Sequence, residues 1–405
     1  MIERMSPANS SDRRLLLRIK LTNLLSFGPN AAALELHNLN ILIGPNAAGK
    51  SNLIEAVSLV RATPVSGTAS MDLSGIVRRG GGVGEWVWKG DRHTPASIDV
   101  LVRHPQWKQS LRHVFSFRGD EPRFQLEGET IEDESSTEGR RGRFYYRFHN
   151  GKSGIRPKDA PRNWRPALGI NADLSILAQR RDPEQYPEIA YLAEAYEKIR
   201  IYREWAFGRN TVFREPQKAD MRSDRLEEDF SNLGLFLSRL RKTPAAKAGI
   251  LAGLKDLYEG VTDFEPVVEG GSVQVFFSEG DFSVPATRLS DGTLRYLCLL
   301  AILCDPEPPP LICIEEPELG LHPDILPKVA DLLVLAAERT QLIVTTHSDV
   351  LVDAMTERPE VIIVCEKRGR ESEVRRLKKE GLASWLEKYR LGQLWIRGQI
   401  GGTRW

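Results

Sequence analysis

The chain has little cysteine, no long apolar run and almost no net charge. Its four cysteines among 405 residues, Cys298, Cys304, Cys313 and Cys365, stand singly in apolar stretches. The paired short spacing of a zinc site or redox motif is therefore missing, and the four read as buried thiols in a reducing compartment. No apolar run approaches the roughly 20 residues that span a bilayer. Residues 1–14 are polar and lack the apolar core of a signal segment. The expectation is a cytoplasmic protein with no membrane partner. Lys and Arg number 56 against 55 Asp and Glu, a formal net charge of +1, so no global field gathers nucleic acid. Neither an internal repeat nor a sustained heptad occurs, which excludes a long coiled-coil arm.

What is present suits a globular chain with a sizeable core: 41% hydrophobic and 27% charged residues. The length favours a two-lobed unit or one domain with a large insertion. Residues 15–24 and 33–43 alternate apolar and polar positions and end near glycine or proline, as strands do. Residues 52–61 (NLIEAVSLVR) have helical spacing, and residues 87–148 break into short strand-like pieces, the pattern of an antiparallel meander. Within it, residues 132–139 (EDESSTEG) have no large apolar side chain and predict a hairpin tip. Helical spacing then governs residues 183–203 and 233–258, a helical insertion. Strand signals return at 261–264, 273–277, 311–314, 342–345 and 361–364, with helices near 294–303 and 325–338 between them. That alternation predicts an α/β fold with a sheet covered on both faces.

Gly44, Pro45, Asn46, Ala47, Ala48, Gly49, Lys50 and Ser51 fit G-x-x-x-x-G-K-[ST] between a predicted strand and a predicted helix, the context this motif requires. Glycines let backbone N–H groups turn towards phosphates, Lys50 reaches the β- and γ-phosphates and Ser51 ligates Mg²⁺. With Asn52 these residues form the expected ATP-binding loop. The apolar run LICI delivers Glu315 and Glu316 at a strand's carboxyl end, where open α/β sheets bind ligands. Mg²⁺ would give Glu315 a partner, and Glu316 could polarise the water that attacks the γ-phosphate. LSDGT (289–293) precedes an apolar helix, so Ser290 taken alone is an N-cap. VTTHS (344–348) ends another apolar strand in His347, placed to sense a γ-phosphate.

In their chain order, GPNAAGKS, LSDGT, ICIEEPELGLHP and TTHS resemble the Walker A, signature, Walker B with D-loop, and switch-histidine motifs of ABC-type ATPases. Within that superfamily the chain is similar to the RecF- and SMC-like group of AAA-type ATPases, including stand-alone heads associated with DNA repair and phage defence. The resemblance implies an ATPase head with a mixed central sheet, an antiparallel meander and a helical insertion. It divides the chain into residues 13–180 and 261–388 as the two parts of the head, 181–260 as the insertion and 389–405 as a Trp- and Gly-rich tail. It further implies Mg²⁺-dependent hydrolysis, with Glu316, His347 and Lys50 catalytic. Ser290 and Gly292 would complete the site from a second copy, in a homodimer closed by ATP. A Q-loop glutamine, a ligand of nucleotide and metal, is expected between meander and insertion, and Gln179 is the best placed. Glu318 and the residues to Leu321 would couple the two sites. Asp291 and Thr293 stand where transporters have glycine and glutamine, and Glu315 where aspartate is usual. These departures point away from a transporter subunit.

The resemblance predicts a switch that controls nucleic acid or a partner effector such as a nuclease. The alternative is a nucleotide-gated scaffold or DNA-binding module with little turnover. Candidate DNA contacts are Arg140, Arg141 and Arg143, and Arg375, Arg376, Lys378 and Lys379. The tail from Leu391 either packs on the core or presents tryptophans to a partner.

Overall fold

A computed structural model of the chain describes residues 12–67, 71–107, 109–119, 123–134, 143–159, 164–205, 208, 211 and 214–403. Residues 135–139 of the expected hairpin tip, Arg140, Arg141 and Trp405 lie outside the described residues. Strands β1 (Leu16–Thr22), β2 (Leu34–Glu35) and β3 (Leu39–Ile43) lead into helix α1 (Lys50–Ala62), then α2 (Leu73–Arg79) and α3 (Val83–Trp86). Strands β4 (Ala96–Val102), β5 (Leu111–Phe117), β6 (Leu126–Asp133), β7 (Phe144–His149), β8 (Lys152–Ile155) and β9 (Arg165–Pro166) follow, with α4 (Ile176–Gln179) and α5 (Pro187–Glu197) after them. Next come β10 (Arg200–Tyr202), β11 (Gln217–Lys218), α6 (Leu233–Arg241), α7 (Pro244–Leu257), β12 (Val261–Glu269), β13 (Ser272–Glu279) and β14 (Phe282–Pro285). The remainder is α8 (Asp291–Leu303), β15 (Leu311–Glu315), α9 (Leu326–Ala336), β16 (Gln341–Thr345), α10 (Asp349–Asp353), β17 (Ile362–Arg368), β18 (Glu371–Arg376), α11 (Ala383–Leu386) and α12 (Leu391–Ile396). No described helix is long and apolar enough to cross a membrane.

The chain forms two compact units. One comprises Arg14–Ile199, Ile363–Leu377 and the residues from Ile400. Its eight-stranded antiparallel sheet runs β2-β1-β4-β5-β6-β7-β8-β9, the meander that the alternating sequence predicts. Strand β5 shows the reason: Leu111, His113, Phe115 and Phe117 point into the core, and the residues between them are partly exposed. On the outer side Arg112 bridges Asp99 of β4 and Glu132 of β6, each at 2.7 Å. On the inner side the buried His113 contacts Glu129 at 3.0 Å, and Glu129 also accepts the Ile176 N–H. Strand β3, buried along its whole length, stands beside β17, which pairs antiparallel with β18.

The second unit comprises Arg200–Ile362 and Lys378–Gln399. Parallel strands β10, β15 and β16 lie side by side, with Arg200 opposite Ile312 and Cys313 opposite Ile343. Leu311, Ile312, Cys313 and Ile314 are all buried, each apolar side chain contributing roughly 1.5–3 kcal/mol. Such a run, apolar on both faces, is what a parallel strand requires. A separate antiparallel sheet is ordered β11-β13-β12, with β14 also on β13.

One expectation is corrected here. The helical reading of residues 183–203 holds for α5, but Arg200–Tyr202 is a strand. Periodicity cannot distinguish so short an apolar stretch from a helix end, and the partner strand β15 decides it. In the tail, α12 packs on α10. Leu391 and Leu394 are fully buried, Trp395 nearly so, and the Leu391 N–H donates to Thr356 Oγ1 at 3.0 Å. For this segment packing on the core is the observed state.

Candidate functional site

The phosphate-loop motif lies in the first unit, where β3 ends and α1 begins. Gly44 has φ +148°, and a Cβ there would stand 2.2 Å from the Cys365 carbonyl oxygen of β17. Only glycine fits this approach. Gly49, the N-cap of α1, has φ +101°, and its Cβ would meet Ser372 Oγ at 2.6 Å. Between them Ala47 takes φ +64°, a left-handed turn without glycine. Lys50 is 6% exposed, and its Nζ donates to the Gly44 and Pro45 carbonyls at 2.8 and 3.1 Å. The ammonium thus folds over its own loop, held by weak neutral acceptors that phosphate oxygens would replace with charged ones. Asn46, Ala47 and Ser51 are exposed, Pro45 is partly exposed and Ala48 is buried. Asn52 Nδ2 donates to Ser26 Oγ at 2.7 Å, and Ser26 Oγ meets Ser372 Oγ at 2.7 Å. The loop is thereby tied from behind to β18. Burial pushes the Cys365 thiol up to about 12, against the pull of the Lys50 charge, so this neighbour is an inert apolar filler.

Gln179 belongs to the same unit. Its amide accepts from the Asn171 N–H at 2.9 Å and donates to the carbonyls of Asn171, Leu174 and Ser175. The side chain turns back on its own loop.

The acidic pair, the histidine and the LSDGT segment lie in the second unit. At the end of β15 Glu316 adopts φ +46°, a conformation that costs a non-glycine residue free energy and clusters at functional sites. Its N–H donates to the Thr345 carbonyl at 3.0 Å and approaches Thr345 Oγ1 at 3.3 Å. Its carboxylate Oε1 lies 3.5 Å from His347 Nε2. The His347 N–H donates to Glu318 Oε1 at 2.6 Å, so β15 and β16 aim both side chains at one point. Glu315 faces Arg203 at 3.9 Å. Ser290 does cap α8, its Oγ accepting from the Thr293 N–H at 3.1 Å, yet it remains exposed. Asp291 pairs with Arg214 at 2.6 Å, and Arg214 also donates to the Leu289 carbonyl. A Cβ on Gly292 would stand 3.1 Å from the Gly320 carbonyl oxygen, so glycine lets this segment sit directly against the Glu318–Leu321 turn.

The structure thus joins Gly44, Gly49, Lys50 and Asn52 in one unit, and Glu315, Glu316, His347, Ser290 and Gly292 in the other. It also reveals two residues that the motifs do not name. Trp205 Nε1 donates to the Glu315 carbonyl at 2.7 Å, and the buried Arg295 donates to the Glu316 carbonyl at 3.1 Å. A cation inside the apolar run LRYLCLLAIL was the one available signal for Arg295. Of the basic candidates, Arg375 donates to the Ile400 carbonyl, Arg376 to Asn40 Oδ1, and Arg143 stacks on Tyr145.

No curated relative matches the chain in sequence. The chain is similar in fold to a crystal structure of the SmcHead bound to the C-winged helix domain of ScpA, at 14% identity and a TM-score of 0.56, over 91% of this chain and 99% of that one. An Smc head domain from Pyrococcus furiosus with an extended coiled coil, bound to the C-terminal domain of ScpA, matches at 14% identity and 0.56, over 92% and 99%. An Smc head with a coiled coil and joint from Pyrococcus yayanosii matches at 13% and 0.50, over 92% and 99%. The family model described as "AAA domain, putative AbiEii toxin, Type IV TA system" matches residues 39–353. The chain therefore belongs to that AAA family of ATPases, built on the ABC-type head fold that it shares with SMC proteins.

Proposed function

We propose that the protein is an ATP-driven switch: two copies close around ATP, hydrolysis reopens them, and the motion controls a partner effector or nucleic-acid processing. The observation that carries this reading is the left-handed turn at Glu316, which sets its carboxylate 3.5 Å from His347. An acid and an imidazole at adjacent strand ends are what removal of a proton from an attacking water requires.

In this reading Gly44, Pro45, Asn46, Ala47, Ala48, Gly49 and Asn52 cradle the phosphates, and Lys50 leaves its own carbonyls for the β- and γ-phosphate oxygens. Glu316 accepts the proton as the water oxygen bonds to the γ-phosphorus and the bond to the β,γ-bridging oxygen breaks. His347 donates to the γ-phosphate oxygens. Ser51, Glu315 and Gln179 each carry a hard oxygen donor of the kind that Mg²⁺ takes. The Gln179 amide oxygen already accepts from the Asn171 N–H, which leaves it one lone pair for a metal. When bound, Mg²⁺ neutralises charge that develops on the phosphates. The exposed Ser290 hydroxyl, with Gly292 behind it, supports a role towards a second copy. The family's description as a toxin–antitoxin component supports the defence-associated form of the switch rather than DNA repair.

The test is the solution mass of Glu316→Gln with and without MgATP. The substitution keeps binding and blocks reopening, so mass doubles with MgATP, and Ser290→Arg abolishes the doubling. A monomer that still binds ATP would sink the self-dimer and point to a partner supplying the signature.

A further inference from the structure

We infer that Trp205 and Arg295 are positioning residues that clamp the Glu315–Glu316 backbone and hold Glu316 in its left-handed turn. The inference rests on Glu316 being the residue that takes the proton from water. Both carbonyls of the acidic pair are engaged from one side: Trp205 Nε1–H donates to Glu315, and the Arg295 guanidinium donates to Glu316. The two donors support each other, because the guanidinium lies over the Trp205 ring at 4.6 Å from its centroid. Phe230 also stacks on the indole, with centroids 5.4 Å apart. The indole thus has two packing partners beside its hydrogen bond to the acidic pair.

Such a clamp has an identifiable task. A residue at φ +46° relaxes unless its surroundings hold it, and a carboxylate displaced by about 1 Å loses much of its effect on an attacking water. Arg295 as a whole is 5% exposed. Burial lowers its pKa to about 10, while Glu318 and Glu316 oppose that shift. A buried charge is costly unless partnered, and the Glu316 carbonyl is one acceptor that the Arg295 guanidinium reaches. Arg295 also stands in α8, the helix whose first turn carries Gly292, so the clamp links the signature segment to the acidic turn.

The test uses the full chain and Trp205→Phe, which keeps an aromatic ring against Phe230 and removes the N–H donor, alongside Arg295→Lys. The expected result is a fall in kcat of about tenfold for either variant, with KM for ATP within about twofold of the parent. In a Glu316→Gln background, single-turnover hydrolysis should change by less than about twofold on adding Trp205→Phe, because residues that act through Glu316 have nothing left to position. An equal loss in both backgrounds, or a raised KM with unchanged kcat, overturns the clamp in favour of a general packing role. If Arg295→Lys does not fold, Trp205→Phe alone decides between these outcomes. If Glu316→Gln turns over like the parent, Glu316 is not the proton acceptor and both readings fall; if it is inactive while Trp205→Phe is unaffected, only the clamp fails.

Discussion

Two chain reversals at the ends of buried strands carry the chemistry proposed for this ATPase, and they are built by different means. After β3 the chain turns on glycines: Gly44 and Gly49 admit backbone geometry and close approaches that no side chain could share. After β15 a left-handed position is taken by Glu316, whose carboxylate the proposed hydrolysis uses. A glycine there would bring no carboxylate, and the backbone around Glu316 is instead hydrogen-bonded by Thr345, Trp205 and Arg295. The first turn is marked by glycines that leave room for β17 and β18, the second by donors that reach its carbonyls from distant segments.

The strongest probe of that contrast is Lys50→Ala. Removing the ammonium should cut hydrolysis by on the order of 10²–10³-fold or more and weaken ATP binding with it, as equilibrium titration with a labelled analogue would show. This differs from Glu316→Gln, which keeps binding. Retained affinity in Lys50→Ala would mean that the loop grips phosphate through its backbone alone.

A middle-sized effect separates two glycines. Gly44→Ala forces a Cβ to 2.2 Å from the Cys365 carbonyl at φ +148° and should destabilise the fold by roughly 3 kcal/mol or more. Gly292→Ala meets Gly320 at 3.1 Å without a positive φ. It should cost under about 1 kcal/mol and reduce turnover more than stability. Chemical denaturation and steady-state assays on the two variants, run in parallel, would reverse this ordering if Gly292 were purely a packing residue.

The tail provides the smallest functional effect. Leu394→Ala opens a cavity beneath α12 and should cost about 2–5 kcal/mol, whereas Ile396→Ala, on a side chain 65% exposed, should stay within roughly 0.5 kcal/mol. Neither should alter kcat. A stable but inactive Leu394→Ala protein would assign the tail a role beyond packing.

The meander, α1 and the strands that end in Glu315 and Thr345 were legible because periodicity reports which face is buried. Strand β10 was not, since three residues have no period, and its parallel pairing with β15 comes from a segment over 100 residues away. The glycine-rich loop was readable letter by letter, because its geometry follows from missing side chains. Trp205 was silent and Arg295 showed only as a cation in an apolar helix, because the carbonyls that they meet are brought to them by packing.

By itself, then, the sequence determined the ATPase class, the glycine-rich motif after β3 and the order of the motifs, all of which depend on local residue types at fixed spacing. Only the tertiary structure decided which groups hydrogen-bond the acidic turn, that Gly292 rests on Gly320, and that α12 is buried. Those depend on distant segments meeting, and no local pattern encodes which partner a buried donor will find.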